Sequence, residues 1–525
     1  MLFNSYSFLF IYLPIVFIGM LVLGRIRPVL AACWLGLASL TFYAVWDARY
    51  LLLLLGSIFG NYLAGYLIGC NRNGPREGRA RAALWTAIAV NLGVLGYFKY
   101  WMFLVITANQ ALSATLPVPE IILPLGVSFF TFTQIAFLVD VYRGEVVEYS
   151  FPQYVLFVTY FPHLIAGPVL HHKQMMPQFA DVKTCKIDYT NVAVGLSIFM
   201  LGLAKKVLIA DYFAEYASRF FDAVRAGHDP RFFESWIGAL TYAFQLYFDF
   251  SGYCDMAIGV SLLFNVRLPL NFNSPYKAVS IIDFWKRWHM TLSSFLRDYL
   301  YIPLGGNRQG PWRRYVNLLA TMLIGGLWHG AGWTFVAWGG LHGLYLIINH
   351  GWRSLSKRLP WSVETRMERA AGGALTFIAV VVAWVFFRAD RFATAWRIVA
   401  GMLGKHGVSM PKSLGHQIAA ISHSMHWKLH KLYKSDGLTP LMNMSAMAYA
   451  MVGLGCVLVW FCPNLPQIFS EYRPTWDQWV DNQGAVGWIH WRPTAPWALA
   501  ISALFIVCLY YMATSRVSEF LYFQF

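Results

Sequence analysis

The sequence predicts an all-α, polytopic membrane protein, and three observations carry that reading. Hydrophobic residues make up 58% of the 525 residues and charged residues only 13%, against about a quarter charged in an average soluble domain. Mean hydropathy is +0.49. Apolar runs long enough to cross a bilayer recur from one end of the chain to the other.

The first run, FLFIYLPIVFIGMLVLG, has neither a basic n-region nor a small-residue cleavage site. It reads as a retained first span over 7–23 rather than a signal peptide. Further spans are predicted near 29–45, 50–70, 82–107, 122–140, 150–168, 192–210, 234–264, 315–328, 332–350, 372–388, 445–463 and 494–513. Arg72, Arg76, Arg79 and Arg81 place their loop in the cytoplasm by the positive-inside rule. Arg25, Arg27 and Arg143 then also face inward. The N-terminus and the loop ANQALSATLPVPE, which has no Lys or Arg, face outward.

Pro124, Pro162, Pro168, Pro275 and Pro303 lie in or beside apolar stretches. Broken helices are tolerated at membrane depth only where protein or water covers the backbone, so re-entrant segments around a cavity are expected. Segment 283–304, DFWKRWHMTLSSFLRDYLYIPL, alternates aromatic and basic residues at helical spacing. It predicts one helix lying at the cytoplasmic interface. The basic segment 351–370 belongs on the same side. Region 405–440 is rich in His and Lys and 464–493 in Trp, and both read as surface excursions. With no repeat and no soluble module, residues 1–525 form a single domain, apart from the excursion at 405–493 and an aromatic C-terminal hook, FLYFQF, at 520–525.

The net charge of +16 sets membrane orientation and does not mark a nucleic-acid binder, because no basic stretch accompanies a soluble recognition fold. The seven cysteines are scattered with no CxxC pair, so neither a zinc site nor a disulfide framework is expected.

Polar groups interrupt the apolar background at His163, Gln245, Asp249, Ser251, Asp255, His289, His329 and His342. His329 lies between Gly325, Gly326, Gly330 and Gly332, in GGLWHGAG. Glycines admit a thin ligand or another backbone, and an intramembrane titratable residue is a functional candidate. The alternative is a histidine bonded to a neighbouring helix carbonyl. His342 is thirteen residues on and reads as a packing or hydrogen-bonding residue. Asp249 and Asp255 read as helix-to-helix bonding groups, and no metal site is expected around them. His289 either orients a substrate or anchors its helix. Lys286, Arg287, Arg297, Arg308, Arg313 and Arg314 fit either a phosphate-bearing donor or positive-inside bias alone.

The stretches FWKRWHMTLSSFLRDYLYIPLGGNR and NLLATMLIGGLWHGAGWTFVAWGGLHG resemble the signature of the membrane-bound O-acyltransferase family. YFKY, LPLGVSFFTF, HLIAGPV, QLYFDFSGYCDMAIG and NFNSPY are similar to its bacterial branch, which acylates extracytoplasmic polymers and includes the membrane subunits of alginate and cellulose O-acetylation. The resemblance covers about residues 1–400 and the C-terminal hook, and not 405–493. It implies a ring of tilted and re-entrant helices around a central tunnel joining a cytoplasmic to an extracytoplasmic funnel. It also implies His329 as the essential catalytic residue, with His289 lining the same tunnel.

The same resemblance implies a multi-pass protein of the bacterial inner membrane, embedded in its lipids, and a separate periplasmic O-acetyltransferase of the same pathway as partner. The donor expected is cytoplasmic acetyl-CoA, a substrate rather than a resident cofactor. Its phosphates would rest on Lys286, Arg287, Arg297 and Arg308 while the thioester arm enters the tunnel. His329 would act as general base, a role imidazole suits near neutral pH. The hook resembles one in which a tyrosine is proposed to carry the acyl group, which implies that role for Tyr522. Two other classes remain open at this stage: a transporter or carrier using intramembrane His and Asp, and a lipid O-acyltransferase. The polymer, alginate or cellulose, is not legible.

Overall fold

The computed structural model describes residues 1–73, 75–146, 149–165, 167–356, 366–408, 446–476, 489–514 and 520–521. It is all-α, with no strand among the described residues; an isolated antiparallel bridge joins Phe272 to Trp288. In chain order the helices are α1 Phe8–Ile26, α2 Pro28–Ala44, α3 Ala48–Asn71, α4 Glu77–Leu112, α5 Val127–Arg143, α6 Phe151–Thr159, α7 His172–Ala180, α8 Tyr189–Arg225 and α9 Phe232–Leu263. They continue as α10 Ile281–Trp285, α11 Met290–Leu296, α12 Gly310–His329, α13 Trp333–Ser356, α14 Arg366–Arg388, α15 Phe392–Met402, α16 Ala446–Phe461 and α17 Ala495–Thr514. Among the described residues, six helices are long and apolar enough to cross a membrane: α1, α3, α4, α8, α14 and α17.

The centre of the molecule is α9. It is apolar all round, and nearly every residue from Glu234 to Leu263 is buried, as a helix without a polar face must be. It packs on α8 closely enough that a Cβ on Gly195 would lie 2.6 Å from the Gly259 carbonyl oxygen. Asp249 and Asp255 serve this contact, as their helix-to-helix reading expects. Lys205 Nζ reaches Asp255 at 2.6 Å, and Lys206 Nζ reaches Asp249 at 2.6 Å and Asp211 at 2.8 Å. Both lysines stand where α8 widens into a π-helical turn, Lys205–Ala210, a local distortion that recurs at functional positions.

Pro162 and Pro168 flank an irregular stretch, so the expected span over 150–168 is helical only as α6, which stops at Thr159. The expected single helix over 283–304 is also corrected. It breaks at His289, whose φ of 44° is left-handed, and α10, α11 and a π-helical turn at Arg297–Tyr301 take its place. Left-handed backbone is uncommon away from glycine and is held only where the surroundings dictate it. Here the surroundings are the bridged Phe272–Trp288 pair and two backbone hydrogen bonds: the Asn273 amide donates to the Arg287 carbonyl at 2.9 Å, and the Met290 amide to the Asn271 carbonyl at 3.0 Å.

The two arginine-bearing loops share one end of the molecule, where Arg72 donates to the Val141 carbonyl at 3.0 Å and Arg143 to that of Asp298 at 3.4 Å. At the opposite end the Tyr50 hydroxyl donates to the Ile122 carbonyl at 2.7 Å. The expected excursion at 405–493 lies outside the described residues over 409–445 and 477–488, as does Tyr522 of the hook.

Candidate active site

The helical hairpin α12–α13 is built on glycine. A Cβ on Gly326 would lie 2.3 Å from the Phe335 carbonyl oxygen, and one on Gly339 would lie 2.2 Å from that of Met322. The two backbones therefore meet directly, and α12 ends at His329, with Gly330 already extended. His329 is buried at 3% exposure. Its ring centroid is 5.0 Å from those of Trp328 and Trp338 and 5.3 Å from that of Phe387.

The last carbonyls of a helix lack intrahelical partners. The YFKY segment supplies them here. The Lys99 ammonium donates to the Trp328 carbonyl at 2.5 Å, to that of His329 at 3.4 Å and to the Ser128 hydroxyl at 3.1 Å. The Tyr100 hydroxyl donates to the Leu327 carbonyl at 2.9 Å. A cation at a helix C-terminus also complements the helix dipole. Lys99 and His329 together line a small cleft, with Pro124, Gly126, Ser128 and Trp328 among its other walls. The cleft lies beside Trp46 and Leu123, at the end of the molecule away from the arginine loops.

The break at residue 289 turns His289 inward. Its exposure is 0%, so the interfacial placement expected of it is overturned. Its ring lies 6.2 Å from that of His329 and 4.9 Å from that of Phe250 on α9. Nδ1 is 3.1 Å from Asn271 Oδ1, an oxygen that also accepts from the Thr291 hydroxyl at 2.9 Å. An acceptor at that position fixes the proton on Nδ1 and makes Nε2 the basic nitrogen.

The other predicted residues divide. His163 Nε2 meets the Phe157 carbonyl at 3.1 Å, a local structural bond. His342 is buried against Trp285 and Trp338 with neither ring nitrogen hydrogen-bonded, which is a packing role. Arg287 is held by Asp283 at 2.9 Å and Arg297 by Asp298 at 2.7 Å, while Lys286 and Arg308 are exposed. Among the described residues no contact joins the four predicted donor-binding cations.

The base of the hook is anchored. Phe520 is 1% exposed, its ring 4.6 Å from that of Tyr253 and 4.7 Å from Lys206 Nζ. The Leu521 amide donates to Asp249 Oδ2 at 2.9 Å. Asp249 adjoins Phe250, the residue that touches His289, so α9 links the chain's end to the histidine pair. Phe3 stacks on Tyr253 at 4.9 Å, which brings both chain ends to one level.

Sequence reasoning passed over Lys99, Lys205, Lys206 and Asn271. It also missed a second polar cluster at the arginine-loop end, where Asp140, His171 and His172 bring ligand-type atoms within 4.8 Å of one another.

A conserved-domain profile described as the membrane-bound O-acyltransferase family matches residues 127–390, the stretch from α5 to just past α14. The chain belongs to that family and is a membrane-bound O-acyltransferase. Its relatives include a peptidoglycan O-acetyltransferase of Helicobacter pylori, 44% identical over 439 residues that cover 78% of this chain and 81% of that protein. A probable alginate O-acetylase of Pseudomonas aeruginosa is 43% identical over 409 residues, covering 77% and 75%. One of Pseudomonas putida is 38% identical over 535 residues and spans both chains completely. Membership in the family removes the transporter reading.

Proposed function

We propose that this protein takes an acetyl group from cytoplasmic acetyl-CoA and delivers it across the bacterial inner membrane for O-acetylation of an exported polysaccharide. The observation that carries this reading is His329. It stands at the floor of a cleft, at a helix end held by Lys99, with His289 at its side. A ring of helices around a tunnel, wide on the cleft side and narrow at the histidines, is the architecture this reading requires.

His329 takes the proton of an attacking hydroxyl as its oxygen bonds to the thioester carbonyl. The tetrahedral intermediate collapses with loss of the C–S bond, and the thiolate recovers the proton. Lys99 contributes a buried positive charge in the wall of the same cleft, where developing oxyanion charge is stabilised most effectively. The donor's phosphates are met on the arginine-loop side by Lys286 and Arg308, while Arg287 and Arg297, each paired with a carboxylate, add hydrogen-bond donors and no net charge.

Tyr522 is the proposed first acceptor. It follows Leu521, whose amide sits on Asp249. A phenol, with a pKa near 10 against about 8.5 for a thiol, retains much of the thioester's transfer potential as an ester. The contact of both chain ends with Tyr253 supports placing the C-terminus on the outward side with the N-terminus. A periplasmic O-acetyltransferase then receives the group.

Alginate is the favoured polymer, because the alginate O-acetylase of Pseudomonas putida matches over its whole length. The identity with a peptidoglycan O-acetyltransferase supports peptidoglycan as the second reading. Polymer acetyl content in a deletion strain separates them. Loss from exopolysaccharide alone supports the first, and loss from peptidoglycan alone replaces it with the second. Unchanged acetylation of every exported glycan would contradict both.

A further inference from the structure

We infer that Asp140, His171 and His172 form a binding site for a divalent transition metal of the zinc class, remote from the acyl-transfer cleft. Asp140 is at the last turn of α5 and is 0% exposed. His171 caps the start of α7 and His172 is its first residue. Asp140 Oδ2 is 3.0 Å from His171 Nε2 and 3.2 Å from His172 Nδ1. Bonds of about 2.0–2.2 Å to a tetrahedral zinc separate adjacent ligand atoms by roughly 3.4 Å, close to both of these distances, and all three ligand atoms lie within 4.8 Å of one another. The Tyr299 hydroxyl, 2.6 Å from Asp140 Oδ2 and 2.9 Å from His171 Nε2, is hydrogen-bonded to both and borders the site.

Hydrogen bonding alone accounts poorly for this cluster. Tyr299 donates to Oδ2, and His171 Nε2, itself hydrogen-bonded to the Tyr299 hydroxyl, and His172 Nδ1 crowd the same oxygen. Meanwhile Asp140 Oδ1 is buried and accepts no hydrogen bond, and His172 Nε2, on a side chain 5% exposed, has no partner. Neither atom is among the proposed ligands, which are Asp140 Oδ2, His171 Nε2 and His172 Nδ1, so the case for the ion rests on the convergence at Oδ2. A cation among the three ligand atoms relieves the crowding on Oδ2.

Arg143 lies 3.7 Å from Asp140 Oδ1 and opposes a metal's charge. It also stacks over Tyr299 at 5.5 Å and is over a third exposed, so solvent weakens that opposition. Two imidazoles and one carboxylate favour zinc, cobalt or nickel over calcium or magnesium, which want oxygen ligands. His171, about one third exposed, offers the entry path. The ion would tie the end of α5 to α7 and to the Arg297–Tyr301 turn, clamping the arginine-loop end of the fold.

The test is a cobalt(II) titration of metal-depleted full-length protein in detergent, followed by visible absorption. One equivalent should give the intense band of tetrahedral cobalt and be displaced by zinc. His172→Ala and the less buried His171→Ala should each lose that band, and zinc should raise the Tm of the wild type but of neither variant. Histidines in 405–440 supply a background that these variants leave unchanged. Absence of a tetrahedral band in the wild type, or its persistence in both variants, would overturn the assignment and leave a hydrogen-bonded cluster only.

Discussion

The ammonium of Lys99 sits 2.5 Å from the carbonyl oxygen of Trp328, one residue before the histidine at the floor of the cleft. A side chain on α4 thereby fixes the end of α12. The His329 ring is directed by the backbone conformation of the last helical turn, so the capping contact and the position of the ring are one property. Replacing Lys99 by Met keeps the apolar stem and removes the donor. Acyl transfer should fall by about 10²-fold, the cost of a misplaced reacting group, while membrane insertion and Tm change little. Steady-state rates on the purified variant check this.

Asn271 plays the corresponding part for His289. Its side-chain oxygen sets the tautomer that leaves Nε2 basic. Asn271→Ala should lower kcat by about 10–10²-fold with a smaller effect on KM for acetyl-CoA, since the group acts beside the chemical step. A rise in KM with kcat unchanged would return His289 to donor binding.

The α12–α13 hairpin tolerates no side chain at its crossing. Gly339→Val should destabilise the protein by about 1–3 kcal/mol or more, because a Cβ there meets the Met322 carbonyl at 2.2 Å. Gly340→Ala is the control, since its Cβ meets Leu323 at an ordinary 3.5 Å and should change stability by under about 0.5 kcal/mol. Thermal unfolding in detergent distinguishes the two.

The hook gives a chemical prediction. Tyr522→Phe keeps the aromatic ring and removes only the hydroxyl, and polymer acetylation should be lost. Asp249→Asn removes the charge that pairs with Lys206 and weakens the bond to the Leu521 amide. It should reduce transfer to the polymer while leaving the protein inserted. Normal acetylation by Tyr522→Phe makes the tyrosine an anchor and ends the carrier proposal.

Much of the fold was legible because its signals are local. Apolar length marked more runs than the six described helices that can cross a membrane, arginines grouped the loops that do share an end, and Pro162 marked where α6 stops. His329 was legible because glycines surround it. Spacing alone put His289 at the interface, while the resemblance put it beside His329, where it lies: its aromatic and basic neighbours have interfacial spacing, and the left-handed turn that buries it is held by Asn271 and Asn273, some fifteen residues away. Lys99 lies 229 residues from the carbonyl it caps, and the Lys205–Asp255 and Lys206–Asp249 pairs span 50 and 43 residues. No periodicity encodes such partners. The same holds for Asp140 and Tyr299, 159 residues apart.

The central claim is that His329 is the base of acyl transfer. The most direct measurement is the release of coenzyme A from acetyl-CoA by purified His329→Gln in proteoliposomes with the acceptor present, alongside donor binding. Glutamine keeps the volume and a hydrogen-bonding amide but cannot take the proton. The account predicts a rate lowered by about 10²–10⁴-fold with acetyl-CoA affinity and Tm close to wild type. A rate near that of the wild type, with the acetyl group still delivered, would contradict it.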